Sequence, residues 1–466
     1  MKSNFENIYF VGIGGIGMSA IARYFKACGY NVAGYDRTRN EVCENLEKEG
    51  IQVHYEDNLD LIGSSYSNPD NTLVIYTPAV PKDHMELSFF RNNGFNVVKR
   101  AEALGKICEN KNCMAIAGTH GKTSISTITS CIMVHTSEKC SAFLGGISKN
   151  FKSNLHLEPQ SKNIVVEADE FDRSFLHLTP STALISHIEA DHLDIYGNYE
   201  NVENAFVEFT NKITANGNLV LGPDIPASVK AKLRSGLNIY TYGVNDSKFD
   251  FYASNILYED GLCIFDINCP GMVIPEIKFK IGGTHNIENA VGATAVSVIN
   301  GATSEQVRAG LQSFVGVLRR FDIQIKNDNC VYIDDYAHHP GEISAFLTAV
   351  KQIYPHKKIT AIFQPHLYTR TRDLYIEFAE SLSACDNLVL LPIYPARELP
   401  IQGVSSSLIY DNCKAINKYM CEKNQLIDLL GTLDTELVVT MGAGDIDRLV
   451  KPITDYLSHD ENKKGI

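Results

Sequence analysis

Ala115-Ile116-Ala117-Gly118-Thr119-His120-Gly121-Lys122-Thr123-Ser124 carries an apolar strand into a glycine turn and out into a helix. Amides exposed at such a helix start cradle phosphate oxygens, and the helix dipole adds attraction for anions. Lys122 supplies a compact positive charge for the β- and γ-phosphates of ATP, and Thr123 a hydroxyl for Mg²⁺. Ile116 stands where the strict G-x-x-x-x-G-K-[ST] pattern begins with glycine, which leaves the compact form G-T-x-G-K-T. The plain alternative is a glycine turn that only closes a strand-to-helix connection. Gly-Lys-Thr at the head of a helix favours the phosphate reading.

Upstream, Val11-Gly12-Ile13-Gly14-Gly15-Ile16-Gly17 follows the apolar run Asn7–Phe10, and Asp36 ends a second strand nineteen residues after Gly17. In outline this is the G-x-G-x-x-G dinucleotide fingerprint. Its physics requires only that a pyrophosphate approach the backbone at a helix start. NAD satisfies that condition, and so does a nucleotide sugar. An NAD-dependent oxidoreductase would leave the second loop idle.

Downstream, two apolar strands run into acidic stretches, Val166-Glu167-Ala168-Asp169-Glu170 and Ile188-Glu189-Ala190-Asp191-His192. Carboxylates at strand ends lie where α/β proteins bind ligands. Oxygen donors with one imidazole suit Mg²⁺ or Mn²⁺ better than zinc, and Glu167 and His192 are the favoured ligands. Solvated acidic loops are the bland alternative. In Gly283-Thr284-His285-Asn286-Ile287-Glu288-Asn289, the two asparagines share a helix face and can meet an adenine edge; an N-capped helix with surface amides fits as well.

Strand and helix patterns alternate through most of the 466 residues, which predicts an α/β protein of three domains. We expect a Rossmann-like N-terminal domain (1–107), a P-loop ATPase-type central domain (108–317) and a Rossmann-like C-terminal domain (318–466). Residues 249–279 read as short β segments broken by turns at Asp260-Gly261 and Pro270-Gly271. The net charge of −13 argues against nucleic-acid binding, which needs a Lys/Arg surplus. No apolar run is long enough for a membrane span, and a strand within the first dozen residues leaves no room for a signal peptide. The twelve cysteines show no C-x-x-C and read as reduced thiols of a cytoplasmic protein.

Ten motifs in order then make the chain resemble the Mur ligases, ATP-dependent amide-forming enzymes of peptidoglycan synthesis. They are GIGGIGMS (12–19), RAEAL (100–104), GTHGKT (118–123), EADEFDRSF (167–175), IEADHLD (188–194), HNIENA (285–290), RRFD (319–322), DDYAHHP (334–340), FQPHLYTRTRD (363–373) and GAGDI (442–446). The resemblance is strongest to the members that add the first amino acid. It implies ATP-dependent joining of L-alanine to the carboxylate of UDP-N-acetylmuramate through an acyl phosphate, by a monomer or homodimer using two Mg²⁺ ions.

Residue by residue, it implies that Gly118, Thr119, His120, Gly121, Lys122, Thr123 and Ser124 hold the ATP phosphates. Thr123, Glu167 and His192 would hold magnesium. His285, Asn286 and Asn289 would contact adenine, and Arg320 and Asp335 would reach the ATP phosphates and ribose. Gly14, Gly15, Ile16, Gly17, Asp36, Thr77 and Arg100 would face the UDP-sugar. Tyr336, His338, His366 and Arg370 would lie where substrate carboxylate and alanine meet, with His338 as a candidate base. Relatives place a carbamylated lysine between the metals; here the first lysine after His192 is Lys212, and Glu208 is the candidate stand-in. The chain departs from the family at Ser124, Phe171, Thr77-Pro78 and Leu367. The peptide-recycling ligase of the same family, which attaches a tripeptide, is the nearest rival, and a non-catalytic nucleotide-binding module is a further alternative.

Overall fold

The computed structural model describes residues 5–460 except 82, 191, 260, 261 and 397, and of 193, 194 and 460 only the backbone. The apolar run Asn7–Val11 forms β1, buried along its whole length. It is the central strand of a five-stranded sheet in the order β3-β2-β1-β4-β5, with β2 (Asn31–Tyr35), β3 (Gln52–His54), β4 (Thr72–Tyr76) and β5 (Asn96–Lys99). Every pairing is parallel. Such strands need helices over both faces, here α1 (Ile16–Ala27), α2 (Glu41–Lys48), α3 (Met85–Asn92) and α4 (Arg100–Cys108). The strand order reverses between β1 and β4, and the glycine loop after β1 opens at that crevice, where doubly wound sheets bind ligands.

The next sheet is built on β6 (Asn112–Ala117), which runs through the phosphate loop into α5 (Lys122–Met133). There follow β7 (Ser141–Ser148), β8 (Ser153–His156), β9 (Asn163–Glu167), β10 (Thr182–Ile185), α6 (Leu193–Tyr196), α7 (Tyr199–Thr210) and β11 (Asn218–Leu221). Then come α8 (Ala227–Lys230), β12 (Asn238–Val244), β13 (Phe251–Glu259), β14 (Leu262–Cys269), β15 (Met272–Phe279), α9 (Thr284–Ile299) and α10 (Ser304–Ser313). The strand order is β15-β14-β13-β12-β11-β10-β6-β9-β7-β8. Parallel register sets Ile116 beside Glu167 of β9 and Ala117 beside Ile185 of β10. Both acidic stretches therefore emerge on either side of the phosphate loop. Gly271 makes the expected turn between β14 and β15 with φ +80°; the turn expected at 260–261 lies outside the described residues.

The third sheet has the order β16-β17-β21-β18-β19-β20. Its elements are β16 (Asp322–Lys326), β17 (Val331–Asp335), α11 (Pro340–Ile353), β18 (Ile359–Phe363), α12 (Tyr368–Leu382), β19 (Asn387–Leu390), α13 (Ser407–Asn412), β20 (Asn417–Met420), α14 (Leu426–Leu430), β21 (Leu437–Met441) and α15 (Asp447–Asp460). Only β16 pairs antiparallel; the other pairings are parallel.

By internal contacts the chain forms two compact units, residues 1–255 with 265–277 and 288–314, and residues 256–264 with 278–287 and 315–466. In the first, Phe10, Ile21 and Ile107 join Ala115, Val166 and Phe206 in a single buried core, because α1 packs on β7 and β8. Residue 107 thus lies inside shared packing rather than in a linker. The second unit has its own core of Tyr332, Ile362, Val389, Leu426 and Val438. All twelve cysteines are free thiols, most of them buried. No helix among the described residues is long and apolar enough to cross a membrane.

Candidate active site

Gly118 and Gly121 adopt φ of +127° and +80°, conformations that side-chain-bearing residues avoid. Space demands glycine as well: a Cβ at Gly118 would collide with Ser186, and one at Gly121 would lie 2.6 Å from Asn289 Oδ1. The loop is fastened to the neighbouring strand end, since Thr119 N–H donates to His187 O at 3.0 Å and the Ser186 hydroxyl to His120 O. His120 Nε2 lies 3.2 Å from Glu189. No side chain caps the start of α5, and the Thr119 hydroxyl is buried without a hydrogen-bond partner among the described residues. Thr123 is buried and Ser124 half-buried on the first turn.

Lys122 folds back across this loop. Its ammonium donates to Gly118 O at 2.6 Å and Thr119 O at 3.3 Å, and both Glu170 oxygens lie 2.9 Å away. Burial works against its charge, but Glu170, Glu167 and Asp169 outweigh that cost and hold its pKa above the usual lysine range. Glu170 was not singled out from sequence. Its only signal there is a second glutamate three residues after Glu167, and the fold alone turns it toward Lys122.

Glu167 ends β9 and accepts a hydrogen bond from Gly145 N–H at 3.0 Å; a Cβ at Gly145 would overlap that carboxylate. His192, with φ +52°, lies edge-on to Phe171 with ring centroids 5.1 Å apart. Its Nε2 is 3.9 Å from Glu170 Oε1. Glu170 therefore faces both Lys122 and His192. Glu208 is half-exposed and lies 3.9 Å from Arg173. Among the described residues no three His, Cys, Asp or Glu side chains converge on one metal position.

A cavity of about 280 Å³ opens beside this carboxylate row. Gly15, Ile16, Gly17, Thr77 and Arg100 line it from the N-terminal sheet, and Gly145, Glu167, Asp169 and Phe171 from the central one. Arg100 packs so close to the first glycine loop that a Cβ at Gly17 would sit 2.6 Å from its Nη1, and its Nη2 donates to Asp169 at 3.1 Å. Asp36 accepts from Gly14 N–H at 2.8 Å and Thr38 N–H at 3.0 Å, so its carboxylate closes the glycine loop.

In the second unit, Asp335 accepts from the amides of Phe321 at 2.7 Å and Ala337 at 2.8 Å, and burial lifts its pKa to about 6. Arg319 is tied to Asp334 and Gly442 O, whereas the Arg320 guanidinium lies 5.2 Å over the Tyr336 ring. His338 Nδ1 faces two acceptors, Tyr336 O at 2.9 Å and Glu342 at 3.4 Å. Its proton accordingly resides on Nδ1, leaving Nε2 as the basic atom. Burial holds the His338 pKa below the usual histidine value. His366 stacks on Tyr394, has Arg370 3.5 Å from its Nδ1, and is pushed down to about 4 by burial, then by Arg370 and His338. His285 is likewise lowered to about 4 by burial. Asn286 donates to Gly282 O at 2.7 Å and so is engaged by its own turn.

A clamped lysine on a phosphate loop, an arginine-lined cavity one sheet away and three α/β sheets define a nucleotide-dependent transferase or ligase. The chain belongs to the Mur ligase family, with matches to its catalytic domain over residues 7–112, its middle domain over 116–297 and its glutamate ligase domain over 319–444. It is 49% identical over 453 residues to a UDP-N-acetylmuramate–L-alanine ligase of Porphyromonas gingivalis, covering 97% of this chain and 99% of that one. The enzyme of the same name from Parabacteroides distasonis is 48% identical over 450 residues, with 97% of each covered. Among solved structures, UDP-N-acetylmuramate–alanine ligase from Thermotoga maritima matches with a TM-score of 0.82 at 27% identity over 97% of this chain and 99% of that one. A murein peptide ligase from Psychrobacter arcticus shares the fold at 20% identity and a TM-score of 0.69, over 97% and 98% of the two chains.

Proposed function

We propose that the protein is the ATP-dependent ligase that joins L-alanine to the carboxylate of UDP-N-acetylmuramate in peptidoglycan synthesis. Near-full-length identity of 49% to ligases of that name carries the reading. It also favours alanine over the tripeptide of the recycling enzyme, a protein similar only at 20% identity.

The chemistry follows from the substrates. A carboxylate resists an amine because its carbon is poorly electrophilic and its oxygen leaves badly. Transfer of the γ-phosphoryl group of ATP to one carboxylate oxygen gives an acyl phosphate and ADP. The alanine nitrogen then attacks the acyl carbon, and phosphate departs carrying that oxygen. Lys122 neutralises charge on the transferring group, and the unpartnered Thr119 hydroxyl fits a phosphate oxygen. His338, whose pKa burial holds below the usual histidine value, takes a proton from the alanine ammonium on Nε2 and so frees the nitrogen lone pair for attack. We assign Arg320 to the ATP phosphates, Asp335 to ribose, His285, Asn286 and Asn289 to adenine, and Tyr336, His366 and Arg370 to the amino acid and substrate carboxylate. Gly14 to Gly17, Asp36, Thr77 and Arg100 serve the sugar nucleotide. The sugar-nucleotide, ATP and amino-acid domains are 1–107, 108–317 and 318–466.

The Thr123 hydroxyl, the Glu167 carboxylate held by Gly145 and the His192 imidazole form an oxygen-rich donor set that fits Mg²⁺. No protein-only cage exists among the described residues, so these side chains would hold the ion together with phosphate oxygens and water. Bound magnesium supplies charge neutralisation on the phosphates. The reading is tested by alanine-dependent ADP release with UDP-N-acetylmuramate. Transfer of one ¹⁸O from the labelled carboxylate into phosphate is expected; phosphate released without label eliminates the acyl phosphate.

A further inference from the structure

Asp169 and Glu170 are adjacent in the segment after β9, yet they hold cations from the first turns of two different helices, α4 and α5. Asp169 pairs with Arg100 at 3.1 Å, and Glu170 with Lys122 at 2.9 Å. The first cation leans on the glycine loop of the N-terminal sheet, the second closes the phosphate loop. Two residues further on, Asp172 is held by Lys99 at 2.9 Å. Asp172 and Arg173 have consecutive positive φ values of 51° and 55°, a conformation uncommon outside glycine that persists only where neighbours impose it. The Lys99 pair and the Tyr196 hydroxyl, which donates to Glu170 O at 2.6 Å, are what impose it.

We propose that Asp169 and Glu170 are positioning residues that couple the two nucleotide sites, each a resident counter-ion of one phosphate-binding cation. This rests on the reading in which Lys122 takes the ATP phosphates and Arg100 the pyrophosphate of the sugar nucleotide. A phosphate arriving at Lys122 competes with Glu170 for one ammonium, and a pyrophosphate at Arg100 competes with Asp169. Each carboxylate must swing away, and the two share a peptide unit. Displacing one therefore loosens the backbone that holds the other, and each ligand prepares the site of its partner. Linkage makes the effect reciprocal.

Calorimetric titration of the full-length protein with the β,γ-imido analogue of ATP, magnesium and UDP-N-acetylmuramate tests this. In the wild type, each ligand is expected to tighten the other by about fivefold or more, by the same factor in both directions. Glu170→Gln tightens the ATP analogue alone by about threefold or more and brings the coupling factor within about twofold of unity. Asp169→Asn does the same for UDP-N-acetylmuramate while leaving the analogue's own affinity unchanged. A carboxylate that merely supports the fold would lower both affinities and leave their ratio intact. Absence of coupling in the wild type overturns the proposal, as does wild-type coupling in either folded variant; if Glu170→Gln does not fold, Asp169→Asn decides. Lys122→Ala is the separate control: loss of analogue binding supports the phosphate-loop reading, and retained binding refutes that reading rather than the coupling.

Discussion

At position 145 only glycine leaves the Glu167 carboxylate where it is, because a Cβ there would overlap both oxygens. Gly145→Ala is expected to fold normally while raising the magnesium concentration for half-maximal rate by roughly tenfold or more, as loss of a ligand-orienting contact does. A metal titration of ADP release checks it. Lys122→Ala removes the cation proposed to neutralise the transferring phosphoryl group, and turnover should fall by about 10²–10³-fold or more while UDP-N-acetylmuramate still binds. Turnover close to wild type would dismiss the assignment. His338 adds a pH signature. Its lowered pKa keeps Nε2 unprotonated to below the ordinary histidine value, so kcat/KM for alanine should fall along a His338-dependent acid limb only beneath about pH 6.5. His338→Gln should abolish that limb; an unchanged acid limb in the variant excludes His338 as the base.

At the scale of elements, parallel register accounts for most of the site. β6 lies between β9 and β10, so the stretches that follow those two strands flank the phosphate loop although they are far from it in sequence. Another element-level contact has a measurable consequence. Glu86, on the first turn of α3, is wholly buried; it accepts the Tyr9 hydroxyl of β1 at 2.7 Å, and His54 of β3 lies 3.4 Å away. Burial raises its pKa from 4.5 to about 7. The folded state thus binds the proton more tightly than the unfolded chain. The associated stability is fully present below about pH 4.5, and is lost as pH rises through about 7. Glu86→Gln should remove this slope and stabilise the protein at pH 8 by about 3 kcal/mol. Denaturant unfolding at pH 5 and pH 8 measures it, and equal slopes in both proteins would contradict it.

For the whole molecule, the donors proposed for magnesium do not form a closed protein cage, which separates folding from metal binding. Chelation should abolish ADP release and leave the melting temperature unchanged; a large drop in Tm would mean a structural metal. The phosphate loop, the glycine loop after β1 and the three α/β sheets were legible in the sequence because each is written in contiguous residues: a strand, a glycine spacing, a helix start. Glu167 and His192 were legible as positions just after two apolar strands by the same logic. Glu170 was not, nor was the role of Asp36 in closing its own loop through Gly14. The shared core around Ile107 was also hidden, since packing of α1 on β7 and β8 leaves no local pattern. Local geometry was settled by the sequence alone, because backbone amides at a helix start depend on neighbours only a few residues away. Which carboxylate meets which cation was settled by the tertiary structure. Lys122 and Glu170 are 48 residues apart, and Arg100 and Asp169 are 69 apart. Only strand order and register bring such distant charges within hydrogen-bonding distance.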